Sequence, residues 1–137
     1  MQEKKTVWIT GASSGLGLAT AKAFAQAGWT VIGGARSFKG EGMHEGIHRL
    51  PLDVTSPESC AAFVDSALAV SPRVDALVCA AAVLVLGACE NTAPEEYSRV
   101  LETNFVGTTR MVQAALPYMR RQHSGRIVLF SSINGLL

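Results

Sequence analysis

Apolar residues fall along this chain in two alternating rhythms. A short run rich in β-branched residues is followed each time by a longer stretch of helical period, and no linker or low-complexity segment interrupts the series. Thr6-Val7-Trp8-Ile9 reads as a first strand. Residues 16–27 read as a helix with Leu16, Thr20, Ala23, Phe24 and Ala27 on one face and Gly28 as its stop. Residues 30–35 and 49–54 read as strands two and three. Ser56 then caps, and Pro57 opens, a helix whose apolar face is Cys60, Phe63, Val64, Ala67 and Leu68. Residues 75–81 form a fourth strand. Thr92-Ala93-Pro94-Glu95 reads as a capping box launching a helical stretch to about residue 122, with breaks expected near Asn104 and Pro117. Residues 126–130 make a fifth strand. Between residues 36 and 48, Gly40, Gly42 and Gly46 are too many for a stable helix, so the second crossover is expected to be abbreviated or irregular. The alternation predicts an α/β fold with a parallel sheet of about five strands and crossover helices.

Composition narrows the class of partner. With 48% apolar residues, 17% charged and a net charge of +1, the 137 residues describe one domain with a real core and no attraction to nucleic acid or an anionic membrane. The opening Met1-Gln2-Glu3-Lys4-Lys5 leads straight into a strand without a cleavable hydrophobic segment, and no stretch is long enough to span a bilayer, so a cytoplasmic setting is expected. Cys60, Cys79 and Cys89 are odd in number and lack metal-ligand spacing. They fit reduced thiols, and no metal site is expected.

The segment with most chemistry is Thr10-Gly11-Ala12-Ser13-Ser14-Gly15-Leu16-Gly17, between the first strand and the first helix. Glycines there let backbone N–H groups and the helix N-terminus approach a pyrophosphate without obstruction by Cβ atoms, which points to a dinucleotide. Two other motifs compete. Gly11-Ala12-Ser13-Ser14-Gly15 also spells the Gly-x-Ser-x-Gly elbow of serine hydrolases, but only nine residues precede Thr10, too few for the strand and loop that complete an oxyanion hole. His44-Glu45-Gly46-Ile47-His48 spells His-Glu-x-x-His, a zinc motif only on a helix. Gly42, Gly46 and Pro51 argue for a polar loop instead.

At the end of strand two, where a site preferring NAD usually carries a carboxylate, this chain has Ala35-Arg36. The Arg36 guanidinium, with the Ser13 hydroxyl, suits a 2′-phosphate, so NADP(H) is expected over NAD(H).

The spacing Thr10-Gly11-x-x-x-Gly15-x-Gly17, Asp53-Val54, Asn104 and Gly125-Arg126-Ile127-Val128-Leu129-Phe130-Ser131-Ser132, taken together, resembles the short-chain dehydrogenase/reductase family over essentially the whole chain. The resemblance implies a Rossmann-type doubly wound sheet, incomplete at its C-terminal side, in a single domain over residues 1–137. It implies hydride transfer between nicotinamide and a small-molecule carbonyl or secondary alcohol. Cofactor contacts would come from Gly11, Ser13, Ser14, Gly15, Leu16 and Gly17, from Arg36, from the adenine-contacting pair Asp53 and Val54, and from Ala80 and Ala81. Ser132 would polarise the substrate carbonyl, and Asn104 would support a proton relay through water.

Two departures stand out. Where the family commonly reads Asn-Asn-Ala-Gly, this chain reads Cys79-Ala80-Ala81-Ala82, which removes two side-chain amides from the sheet. The family's Tyr-x-x-x-Lys pair is also absent: Tyr97 is followed four on by Leu101, Tyr118 by Gln122, and no lysine follows Lys39. A tyrosine of pKa about 10 needs a neighbouring cation to move protons near neutral pH, so the 137 residues alone are expected to be inactive. A non-catalytic nucleotide-binding or interaction protein is the alternative. The apolar fifth strand is expected to form an unblocked edge and helix residues Met111, Ala115, Leu116 or Met119 to be partly exposed, favouring a homo-oligomer or other self-association.

Overall fold

The computed structural model describes residues 3–39 and 44–136. Five parallel strands form one sheet in the order β3-β2-β1-β4-β5. They are β1 (Thr6–Thr10), β2 (Thr30–Ala35), β3 (Ile47–Pro51), β4 (Ala76–Cys79) and β5 (Arg126–Leu129). Helix α1 (Gly15–Gln26) joins β1 to β2, and α2 (Pro57–Val70) joins β3 to β4. Between β4 and β5 run α3 (Pro94–Leu101), a π-helical turn (Glu102–Gly107) and α4 (Thr108–Gln122). No helix occupies the β2–β3 connection among the described residues, as its glycines predict; Gly40 and Gly42 lie outside them.

β1 is central, and all five of its residues are buried. Its alternation sorts the core into two layers. Trp8, in register with Ile32 and Leu77, faces α2 and α4, where Phe63, Ala67, Met111 and Ala115 close over it. Val7 and Ile9, beside Val31 and Val78, face α1 and meet Ala12 and Ala21. Each large apolar side chain so buried contributes about 1.5–3 kcal/mol. The Trp8 indole N–H has no hydrogen-bond acceptor among the described residues. The Phe63 and Tyr118 rings stand edge-on to it at 5.9 and 6.2 Å.

Several expectations need correction. The buried residues of α1 are Gly17 and Ala21, one position later than Leu16 and Thr20, because close packing on the sheet needs small residues and leaves Leu16 67% exposed, while Phe24 packs against the core as expected. β3 begins two residues earlier and stops at Pro51, which is tolerated because β3 is an edge strand. There is no capping box before α3: Ala93 is the N-cap, and the Thr92 hydroxyl donates to the Ala88 carbonyl at 2.8 Å. The regular α-helix is interrupted around Asn104, as expected, but by a π-helical turn rather than an end, and Pro117 does not break it. Asn104 sits inside the π-helical turn and Pro117 inside α4. Met111, Ala115 and Met119 are buried against the sheet and α2, Leu116 is partly exposed as expected, and Tyr97, Leu101 and Phe105 are the exposed large apolar side chains of the stretch.

The open ends of the strands are tied by a buried carboxylate. Asp75, just before β4, accepts from the Thr6 backbone N–H at 2.8 Å and from Arg73 Nε at 2.7 Å. Its own carbonyl accepts from the Arg126 N–H, so one residue links β1, β4 and β5. The Arg73 guanidinium and the Thr6 N–H hold its carboxyl below the usual aspartate range against the opposing effect of burial. A depressed folded-state pKa means that ionised Asp75 stabilises the fold above the unfolded pKa of about 3.9, and that this contribution is lost as pH falls through the lower folded value. Asp75→Asn is therefore expected to cost about 3 kcal/mol at neutral pH and to flatten the loss of stability below about pH 4. Urea unfolding across pH checks this, and parallel pH profiles for the two proteins would contradict it.

Candidate functional site

The sheet order places β2 on one side of β1 and β4 on the other, with α1 on one face and α2 and α4 on the opposite one. That reversal opens a crevice at the C-terminal ends of the strands. A cleft of about 550 Å³ lies there. The β1–α1 turn supplies Gly11, Ser13, Ser14, Gly15, Leu16 and Gly17; the end of β2 supplies Ala35 and Arg36; and the segment after β3 supplies Leu52, Asp53, Val54 and Thr55. The segment after β4 adds Ala80, Ala81, Ala82 and Val83, and Arg99 and Thr103 come from α3 and the π-helical turn. Every residue predicted from sequence to touch cofactor therefore borders one cavity.

The turn itself suits an anion. Ser14, the N-cap of α1, is extended and its side chain makes no capping bond, so no side chain is spent on the first-turn N–H groups of α1. Gly17 brings α1 so near β1 that a Cβ there would overlap the Gly11 carbonyl oxygen. Gly15 is different: its φ of +53° demands a left-handed backbone, yet nothing lies within 4 Å of where its Cβ would stand.

The Cys79-Ala82 departure is partly repaired by Thr10. Its Oγ1 accepts from the Ala80 and Ala81 N–H groups at 3.2 and 3.1 Å, stitching the end of β4 to β1 without a side-chain amide. Burial pushes the Cys79 thiol up to about 12, which leaves it protonated and inert. Asp53 turns inward on its own loop: Oδ1 accepts from the Thr55 N–H at 3.0 Å and the Thr55 hydroxyl at 2.7 Å. These bonds, with Arg36 and Arg110 nearby, hold its carboxyl below the usual range.

The two residues expected to be catalytic stand apart from the cleft lining. Asn104 clamps the segment after β4, accepting from the Val83 N–H and donating to the Val83 carbonyl, both at 2.8 Å. Ser132 lies exposed beyond β5, its Oγ accepting from the Asn134 N–H at 3.3 Å. The expected loop covers only the first part of the motif at residues 44–48: Glu45 at φ +51° and Gly46 at φ +77° form a turn, while His48 lies in β3, so the two histidines do not share a helix face.

With this geometry established, comparison with known proteins decides the family. The short chain dehydrogenase model matches residues 5–137. The chain belongs to the short-chain dehydrogenase family. It is 36% identical over 135 residues to 3-ketodihydrosphingosine reductase of Bacteroides thetaiotaomicron, covering 98% of this chain and 49% of that protein. To human 17-beta-hydroxysteroid dehydrogenase type 1 it is 35% identical, covering 98% and 44%. Among solved structures, ligand-free aldohexose dehydrogenase of Thermoplasma acidophilum superposes with a TM-score of 0.87 at 30% identity, covering 96% of this chain and 50% of that one. ElxO with NADP bound gives 0.89 at 30%, covering 98% and 58%. The chain spans about half the length of the curated relatives it matches. Family membership also carries the Rossmann-type sheet.

Sequence reasoning gave no role to five lining residues: Leu52, Val83, Thr55, Arg99 and Thr103. The last two stand four residues apart, a spacing that becomes informative only once Asn104 is known to hold Val83 of the same lining.

The glycines make separable predictions. Gly17→Ala is expected to cost about 3 kcal/mol or more, because backbone must move to admit the methyl. Gly15→Ala is expected to cost only about 1–2 kcal/mol of left-handed strain. Urea unfolding of the two variants compares them; equal losses would show that α1 is not pinned by its approach to Gly11.

Proposed function

We propose that this chain supplies the cofactor-binding part of an NADP(H)-dependent oxidoreductase acting on a small-molecule carbonyl or secondary alcohol. The observation carrying the cofactor preference is Arg36 on the cleft at the end of β2, with Ser13 across from it in the glycine turn and alanine at position 35 where a carboxylate would repel phosphate. The NADP bound to ElxO, a structural neighbour, supports the same preference. The dehydrogenase and reductase relatives give the non-catalytic alternative no support.

Residues on the cleft fit each part of such a cofactor. First-turn N–H groups of α1 would face the pyrophosphate, Arg36 and Ser13 would donate to the 2′-phosphate, and Asp53 and Val54 would border the adenine. Ala80 and Ala81, small and held by Thr10, would lie along the dinucleotide. Nicotinamide, when bound, supplies or accepts the hydride. Ser132 would hold the substrate oxygen through its hydroxyl proton, since its oxygen already accepts from Asn134. Asn104, with both ends of its amide engaged by Val83, would act by fixing that segment.

Neither tyrosine offers a substitute acid. Tyr97 donates to Cys89 Sγ at 3.4 Å on the surface, and Tyr118 packs edge-on to Trp8 beneath the Arg121 guanidinium. The 137 residues are thus expected to bind cofactor without turning over substrate. Fluorescence titration should show NADPH bound more tightly than NADH, and Arg36→Leu should weaken NADPH about tenfold or more while leaving NADH nearly unchanged. NADH binding tenfold tighter than NADPH would overturn the preference.

A cytoplasmic setting and self-association belong to the same reading. No helix among the described residues is long and apolar enough to cross a membrane. β5 ends the sheet with Ile127, Val128 and Leu129 each more than a third exposed, an apolar edge that favours pairing with another chain. Light scattering is expected to give a mass above 14.5 kDa, reduced by Val128→Lys. A monodisperse, cooperatively unfolding monomer would contradict this.

A further inference from the structure

The segment after β3 borders the cleft but hangs from the sheet's edge, where β3 has β2 on one side only. Its internal bonds are local: Asp53 to Thr55, the Ser56 N–H to the Asp53 carbonyl, and the Asp53 N–H to Ser59 Oγ. Such bonds shape the turn, and its root is set by the Leu52 N–H bond to the Ala35 carbonyl and by burial of Leu52 and Val54 in the core. A further hold, from across the cleft wall, comes from α4. Arg110 Nη1 donates to the Val54 carbonyl at 3.0 Å from 56 residues along the chain, and Glu102 Oε1 braces the same nitrogen at 2.6 Å. One step back along the helix, Gly107 abuts Val54 so closely that a Cβ there would stand 2.6 Å from Val54 Cγ2.

The Arg110 side chain is three-quarters buried, and its guanidinium joins a helix to a backbone carbonyl. A backbone acceptor reached by a charged donor is a stronger and more directional hold than the 3.9 Å contact that Cys60 Sγ makes with the same oxygen. The π-helical turn lies between Glu102 and Gly107, so the wide turn and the brace belong to one piece of helix. Its Asn104 grips Val83 on the other wall of the cleft.

We propose that Arg110, braced by Glu102, is a positioning residue that fixes the Val54 wall of the cleft and thereby the adenosine end of the cofactor. The adenosine part of this inference rests on the NADP(H) reading above. Its ligand readout is the affinity of 2′,5′-ADP, which lacks nicotinamide, beside that of NADPH. Its structural readout is amide hydrogen exchange of the unliganded chain.

In Arg110→Met, both ligands are expected to weaken by the same factor of about ten, with partial recovery in Arg110→Lys, which restores a donor without the planar fork. The Thr55 and Ser56 amides should exchange about tenfold faster while those of β1 and β4 are unchanged. Unchanged affinity for both nucleotides would overturn the proposal. So would loss for NADPH alone, or exchange that quickens equally in β1, β4 and the turn, which would mark Arg110 as a general stabiliser. If the unsubstituted chain binds neither nucleotide, the NADP(H) reading falls and takes the adenosine role with it. The exchange result still decides whether Arg110 holds the wall.

Discussion

The structure depends on one close approach, that of the first turn of α1 to the end of β1. With Gly17 against the Gly11 carbonyl, the helix starts almost on the strand, and its N-terminal N–H groups open onto the crevice where the strand order reverses. A side chain at that contact would push α1 outward and widen the crevice at its base. The Ala12 N–H donates to the Gly34 carbonyl at 3.1 Å, so the turn is also tied to β2. Cleft shape and core packing are therefore set by the same atoms. A change that loosens α1 would disturb the anion-facing amides and the Val7, Ile9 and Ala21 layer together.

A second dependence runs through the helix between β4 and β5. Within the π-helical turn Phe105 is exposed and only Gly107 is buried, against Val54. What the turn achieves is angular. One extra residue in the turn lets Asn104 meet Val83 while Gly107 and Arg110 meet Val54, contacts on two walls that a regular helix would present at different rotations. The turn acts as a strut between the walls, consistent with the tendency of π-helical insertions to sit beside functional sites.

Much of this was legible in the sequence wherever local chemistry dictates local structure. α2 was readable from Ser56, whose hydroxyl does accept from the Ser59 N–H, and from an apolar face that is buried as predicted. The glycine turn was readable because only glycine serves there. The face of α1 was misread for the opposite reason: hydrophobicity favours Leu16, whereas the sheet demands small residues and Leu16 turns to the cleft. The sequence marked an interruption near Asn104 but not its form, since Glu102-Thr103-Asn104-Phe105-Val106-Gly107 has no composition that specifies a π-helical turn. Nor could the Arg110–Val54 bond be anticipated, because nothing at either position encodes a partner 56 residues away.

The charges around the cleft bear on how a polyanion could be held there. Asp53 stands on the lining, and a carboxylate beside phosphates costs affinity unless its charge is compensated. Here it is compensated from within the protein, by two hydrogen bonds from Thr55 and by the fields of Arg36 and Arg110. Arg99 is already committed to Glu96 at 2.9 Å, one turn back on α3. That leaves Arg36 as the lining cation whose field serves both the carboxylate and any phosphate placed at the end of β2. A phosphate at the end of β2 would share the field of Arg36 with Asp53. The Thr55 bonds make that sharing tolerable, because they keep Asp53 satisfied when Arg36 turns toward the phosphate. The turn held by Arg110 therefore matters to charge as well as shape: if it shifts, Asp53 moves with it, and the balance at Arg36 moves too.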